Sequence, residues 1–338
     1  MILTVVGVAL VPHPTYATIL EGATTSFVNN FIASVANAVL GLVSILVTVS
    51  GTFLSISINI TTHIGNFFDK MPALKDVWVV VRNISSIFII FMLLYSSIMT
   101  ILGSGNSNIK KLVGKIIMAG LLINFSLFFV RVAIDASNIV SLQFYRAIAP
   151  ESTGNFSTTA AYFDGGLSDV FMSSLKIPQI YENKGVLKSA DVGLSIFFAT
   201  VAGIIMMIVA SFSFLAAAIA FTIRTGLLLF IMAISPIFFA GMIFPQIKEG
   251  ISDKMLKLLQ NQLVFMPAYL FLMYVALKVI SSDGYKAIFN QSATGVSPAG
   301  ESAFGPTFIG VIIQFVIALL FINAPLLFAI QSGAWGAK

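Results

Sequence analysis

WVVVRNISSIFIIFMLLYSSIMTIL, residues Trp78–Leu102, and the segment that follows it decide the fold. GSGNSNIKK (Gly103–Lys111) is a short basic hinge. LVGKIIMAGLLINFSLFFVRVAID (Leu112–Asp135) is a second apolar run, ending in the polar anchor ASNIVSLQFYRAI. About 20 apolar residues cross a bilayer as a helix, so each run predicts one crossing. Neither run is wholly apolar. At roughly 100° per residue, Asn124, Arg131, Asp135 and Asn138 share one face of the second helix, with Gly120 at its head. Arg82, Ser86, Ser96 and Thr100 share a face of the first. Lipid cannot satisfy such stripes, so these residues are expected to line an intramembrane packing surface or pathway. The hinge is short enough to make the two helices antiparallel neighbours. The expected contact is the second stripe on the Arg82–Thr100 helix or on a neighbouring subunit, with Gly120 allowing close approach.

Composition agrees. Of 338 residues, 58% are hydrophobic and 9% charged, and mean hydropathy is +1.01. A soluble domain carries roughly 25% charged residues, so the chain reads as an integral membrane protein. Lys and Arg number 18 against 13 Asp and Glu. In a membrane protein that excess points to loops beside anionic lipid heads; no basic run exceeds two residues, which argues against nucleic-acid binding. The chain has no cysteine, which excludes disulfides, thiolate metal sites and cysteine nucleophiles.

Working outward, residues 1–30 form an N-terminal segment. Met1–Thr18 has the short apolar run of a signal peptide but lacks a basic start, and a half-embedded anchor fits equally well. Residues 31–142 form a first membrane region, with a span from Phe31 to about Ile58 and then the central pair. Residues 143–191 form an extracytoplasmic loop. Inside it Leu167, Val170, Phe171 and Leu175 fall at helical spacing, predicting an amphipathic helix on the membrane surface or an ordinary loop helix under the fold. Residues 192–280 form a second membrane region. Gly193–Phe244 is apolar for two crossings, expected to turn near Arg224, because a bilayer core is only about 30 Å thick. Gln246–Gln262 is amphipathic and Leu263–Ile280 crosses again. Residues 281–306 are a polar loop, and 307–338 hold the last span and the C-terminal tail. The expectation is an all-α polytopic transmembrane bundle of about seven spans with short interfacial helices. Lys110, Lys111 and Lys115 place the hinge in the cytoplasm, whereas Lys248, Lys254 and Lys257 fit no strictly alternating topology.

Catalytic signatures are missing. His13 and His63 stand alone, too few for a metal site; Gly103-Ser104-Gly105 lacks the G-K-[ST] of a phosphate loop, and no serine stands in G-x-S-x-G. The reading is therefore a non-enzyme with no cofactor or metal. Arg131 and Asp135, at i and i+4, are spaced to form an ion pair on one helix face; a functional charge pair and plain neutralisation near a helix end both fit. Arg82 and Arg224 lie near expected span ends, from which they can snorkel to lipid heads.

Certain stretches also resemble a known family. These are W-x3-R-N-I at Trp78–Ile84, then ILG and KKL, then LLINFSLFFVRVAIDASNIVSLQFY at Leu121–Tyr145. GLSDVFMSSLKIPQIY at Gly166–Tyr181, Ser211–Phe239 and Gln262–Ile280 follow in order. Together they resemble the TrbL family and its VirB-six relatives, polytopic inner-membrane subunits of bacterial type IV secretion systems. The resemblance implies a channel or scaffold subunit of the bacterial inner membrane, present in several copies. Its implied partners are secretion ATPases and envelope-spanning channel components, with translocated protein or DNA bound only transiently. The alternative is a stand-alone small-solute transporter or permease, which would need a midplane site built from broken helices.

Overall fold

The computed structural model describes residues 14–102, 107–149, 167, 170, 171, 174, 192–241, 243, 248–282 and 306–331. The helices are α1 (Pro14–Thr62), α2 (Ile64–Lys70), α3 (Pro72–Ile101), α4 (Ser107–Asn124), α5 (Ser126–Ile148), α6 (Val192–Ile234), α7 (Pro236–Ala240), α8 (Asp253–Ser281) and α9 (Pro306–Gln331). A π-helical turn, Lys248–Ser252, leads into α8. No strand occurs among the described residues. Of the leader-like segment, only residues 14–18 are described, as the start of α1.

Among the described residues five helices are long and apolar enough to cross a membrane: Ala38–Thr62, Pro72–Ile101, Ser126–Ile148, Val201–Ile234 and Gly250–Ser281. This is the make-up of a multi-pass helical membrane protein. Val316–Phe328, within the 26-residue α9, is apolar as well. The helices differ from the expectation mainly at α6. Its 43 residues form one helix, roughly 65 Å long at 1.5 Å per residue, where two crossings turning near Arg224 were expected. No proline interrupts it before Pro236, and Arg224 finds partners inside the bundle instead of ending a span. The amphipathic Gln246–Gln262 segment likewise does not stand apart from the crossing after it, because α8 runs through both.

Side-chain contacts fix the helix directions. Gly203 lies against Leu40, and Ser57 bonds Thr222, so α1 and α6 run parallel although distant in sequence. Ser137 donates to the Leu263 carbonyl and Phe144 packs on Phe271, so α5 and α8 also run parallel. Phe221 meets Phe265 and Tyr269 while Arg224 reaches Gln262, so α6 and α8 are antiparallel. The central pair is antiparallel as expected. Trp78 reaches Ser126, and a Cβ on Gly120 would stand 3.6 Å from Ile89.

Burial is organised in three successive apolar clusters. The first joins α1, α5, α6, α8 and α9 through residues such as Leu54, Tyr145, Phe214 and Met273, and it takes in Leu167 and Phe171. The second joins Phe68, Ile134, Leu228, Ile231 and Leu259. The third holds Ile89, Ile116, Ala119, Ile123, Ala240 and Ile243. Of the two readings of the Leu167–Leu175 segment, the burial of its described residues fits the loop helix under the fold. Leu167 and Phe171 are fully buried, and the Phe171 ring packs edge-on against Phe214 at 5.5 Å between centroids. Val170 packs on the same cluster, and Leu175 lies outside the described residues. The apolar stripe faces protein because the long helices leave a bulky aromatic wall for it to cover.

Candidate functional site: a buried polar layer around Arg224

Between the first and second clusters each of four helices places a polar residue. On α6, Arg224 lies between Phe221 and Leu228; on α1, Thr61 follows Ile58; on α5, Asn138 lies between Ile134 and Tyr145; on α8, Gln262 lies between Leu259 and Phe265. Arg224 has no solvent-exposed surface at all. Its Nε donates to the Gln262 carbonyl at 3.0 Å and one Nη donates to Asn138 Oδ1 at 3.1 Å. The other Nη is enclosed, with no hydrogen-bond partner among the described residues. The Asn138 amide then donates to the carbonyls of Thr61 and Thr62, each at 3.3 Å. A helix leaves its last carbonyls without intrahelical donors, so Asn138 caps the end of α1 while holding Arg224.

The layer continues through hydroxyls. Those of Thr61 and Thr225 bond one another, and each reaches the Phe221 carbonyl, at 3.1 and 3.0 Å. Two protons serve these three contacts. On α8 the local sequence prepares the acceptors. Pro267 stands inside the helix and has no N–H to give the carbonyl four residues earlier. That carbonyl belongs to Leu263, and the Ser137 hydroxyl supplies the missing donor at 2.5 Å.

The expected stripe residues are thus divided. Asn138 and Arg224 meet in the layer. Arg224 does not snorkel from a span end; it is the most deeply enclosed cation described. Arg131 pairs with Asp69 of α2 at 2.6 Å, not with Asp135, and its guanidinium lies 5.1 Å over the Phe68 ring. Asp135 is exposed. Of the second stripe only its head, Gly120, lies against the Arg82–Thr100 helix, at Ile89. A kink at Phe125 splits the run, and Asn124 turns back on its own Gly120 carbonyl. Ser86 and Thr100 bond carbonyls one turn back in α3. Arg82 stacks over Trp78 at 4.8 Å and bonds Asn83. The Ser96 hydroxyl is buried with no partner among the described residues.

Thr61, Ser137, Thr225 and Gln262 were missed. Each lies among other polar residues of its own helix, such as Thr62, Asn138, Thr222 and Asn261, and nothing in the sequence singles it out; only Pro267, which frees the Leu263 carbonyl, marked the place in advance.

No protein-family model, curated protein or solved structure matches the chain. The layer must therefore be read from its own chemistry. It offers one cation and hydroxyl, amide and carbonyl groups. Among the described residues no cluster of His, Asp or Glu could hold a metal ion. What this arrangement does is lock four helices in register. A guanidinium in an apolar setting is costly unless its N–H groups are bonded, so α5, α6 and α8 are held in the arrangement that bonds it.

The Arg131–Asp69 pair supports a separate, pH-dependent prediction. The hydrogen bond from Arg131 holds the Asp69 carboxyl below its ordinary value of 3.8. A carboxyl depressed by folding contributes stability above its unfolded value, and the contribution disappears as pH falls through the folded one. Asp69→Asn should therefore lower thermal stability at neutral pH and flatten its acid-side loss. The effect should stay under about 1 kcal/mol, because both partners are partly exposed. Melting curves of detergent-extracted protein across pH test this, and parallel curves for the two proteins would contradict it.

Proposed function

We propose that this protein is an inner-membrane channel or scaffold subunit of a bacterial type IV secretion system, helping protein or DNA cross the cytoplasmic membrane. The observation that carries this reading is the Leu121–Tyr145 stretch. It resembles the TrbL family most specifically, and in the fold it supplies Asn138, which joins Arg224 to the end of α1. Five membrane-length helices and a polar layer whose described contacts join helix to helix suit a scaffold whose energy comes from partner ATPases. Several copies would assemble beside the envelope-spanning channel. Pull-down of the tagged chain from detergent extract of a host encoding such a system should recover secretion ATPases or channel components. Recovery of neither would sink the proposal.

One observation favours a small-solute permease as a second reading: Asn138 links Arg224 to the end of α1, next to the helix break at His63, and broken helices build midplane substrate sites. Saturable solute uptake by proteoliposomes containing this chain alone would favour it over the scaffold reading.

A further inference from the structure

Every described passage between the first and third apolar clusters is interrupted at the level of the second. His63, between α1 and α2, has φ −98° and ψ 27°. Phe125, between α4 and α5, has nearly the same conformation, φ −98° and ψ 9°. At both sites backbone hydrogen bonds still bridge the irregular residue, His63 N–H to Asn59 and Phe125 N–H to Leu121, so the ladder continues through it. Met71, at φ −110° and ψ 86°, leaves the helical region before Pro72 opens α3. At Ser235-Pro236 the backbone stays helical, φ −52° and ψ −31°, but the hydrogen bonds shift to residues three apart, Ser235 N–H to Met232 and Phe238 N–H to Ser235, and α8 begins from the π-helical turn Lys248–Ser252. Such turns and prolines are the usual causes of sharp helix bends.

Each described segment thus departs from regular α-helix geometry at the joint. Beyond it stand α3 and α4 with the short α7, packed through the third cluster. Only 6% of the apolar window of α3 is buried, against 56% for α6. The joint is also polar at its rim, where Asp69, Lys70, Lys75, Lys254 and Lys257 are exposed or partly so. Among the described residues few side-chain bonds cross it. Trp78 Nε1 donates to the Ser126 hydroxyl at 3.1 Å, which bonds the Ser235 hydroxyl at 3.2 Å. The Ser252 hydroxyl reaches the Phe238 carbonyl at 2.8 Å, and Arg131 clasps Asp69.

We infer that the α3–α4 hairpin is an arm that pivots on the bundle at this stratum of helix breaks, pinned by the Trp78–Ser126–Ser235 chain of hydrogen bonds. Rigid-body swing about a few residues that absorb the backbone change is a standard form of helical rearrangement. Here the bending residues lie together, the packing that resists bending is confined to the second cluster, and the polar layer keeps the bundle rigid beneath. The motion is independent of whether the protein serves secretion or solute transport.

Because the chain has no cysteine, two introduced cysteines give a unique spin-label pair. Leu94→Cys with Phe212→Cys spans the joint, and Leu46→Cys with Phe271→Cys lies within the bundle; all four positions are exposed. Pulsed electron–electron distances are measured on the full chain in lipid nanodiscs, with and without Trp78→Phe. The cross-joint distribution should be at least about twofold wider than the bundle distribution, either as it stands or once Trp78→Phe removes the pin. Two narrow cross-joint distributions, with and without the pin, would overturn the inference.

Discussion

Asn138→Leu should destabilise the protein sharply, and adding Arg224→Met should restore much of the loss. Hydrogen bonds between helices in a membrane average only about 0.6 kcal/mol. If Asn138 were an ordinary polar contact, its removal would barely register. It instead accepts from a fully buried guanidinium whose other described bond is to a backbone carbonyl. Leucine there leaves a second face of the cation without a partner and also uncaps the carbonyls of Thr61 and Thr62. Losing a hydrogen bond to a charged group costs about 1.5–3 kcal/mol, and stranding a buried charge costs about 3–5. Methionine at 224 removes the charge at similar length, so the double variant should lie well above the Asn138→Leu single. Monodisperse yield and melting temperature in detergent measure both. A double variant as unstable as the summed singles would mean that the two residues act separately.

Phe171→Asp should abolish the fold itself. The ring is fully enclosed in the first cluster against Phe214, and deleting a buried phenylalanine side chain costs about 3–5 kcal/mol before any charge is added. Phe171→Leu keeps most of the volume and should cost less than about 1.5 kcal/mol. Fluorescence-detected size exclusion would then show a lost or aggregated peak for the aspartate and a normal one for leucine. A normal peak for the aspartate variant would return this segment to the membrane surface, where the spacing of Leu167, Val170 and Phe171 alone could equally have put it.

Periodicity identified the apolar face around Phe171 correctly but could not say what would cover it. A bilayer surface and an aromatic wall attract the same stripe, and only the position of Phe214 distinguishes them. The polar stripe of the second run failed for a related reason. Helical arithmetic assumes one straight helix from Leu112 to Asn138, and the kink at Phe125 turns Asn124 and Asn138 to different surroundings. No glycine or proline at that point announces the bend. Arg131 and Asp135 have the spacing of an ion pair, yet Asp69, 62 residues earlier in sequence, offers its carboxylate across the α2–α5 contact, and Asp135 is left exposed. Arg224 was read as lying near a span end because about 50 apolar residues exceed one crossing of a bilayer core about 30 Å thick; in the fold α6 stays one helix, and α5 and α8 supply acceptors for the guanidinium.

The sequence by itself determined that the chain is helical and membrane-embedded, with a charge content too low for water and apolar runs long enough for a bilayer. It also determined the antiparallel central pair, since a short linker leaves two long helices little alternative. The tertiary structure alone decided that α1 runs parallel to α6 and α5 to α8, that Asn138, Gln262 and the two threonines converge on Arg224, and that the helix breaks fall in one stratum. These are contacts between residues 38 to 165 positions apart. Periodicity reports which face of a helix is apolar or polar, but carries no information on which distant helix will meet it.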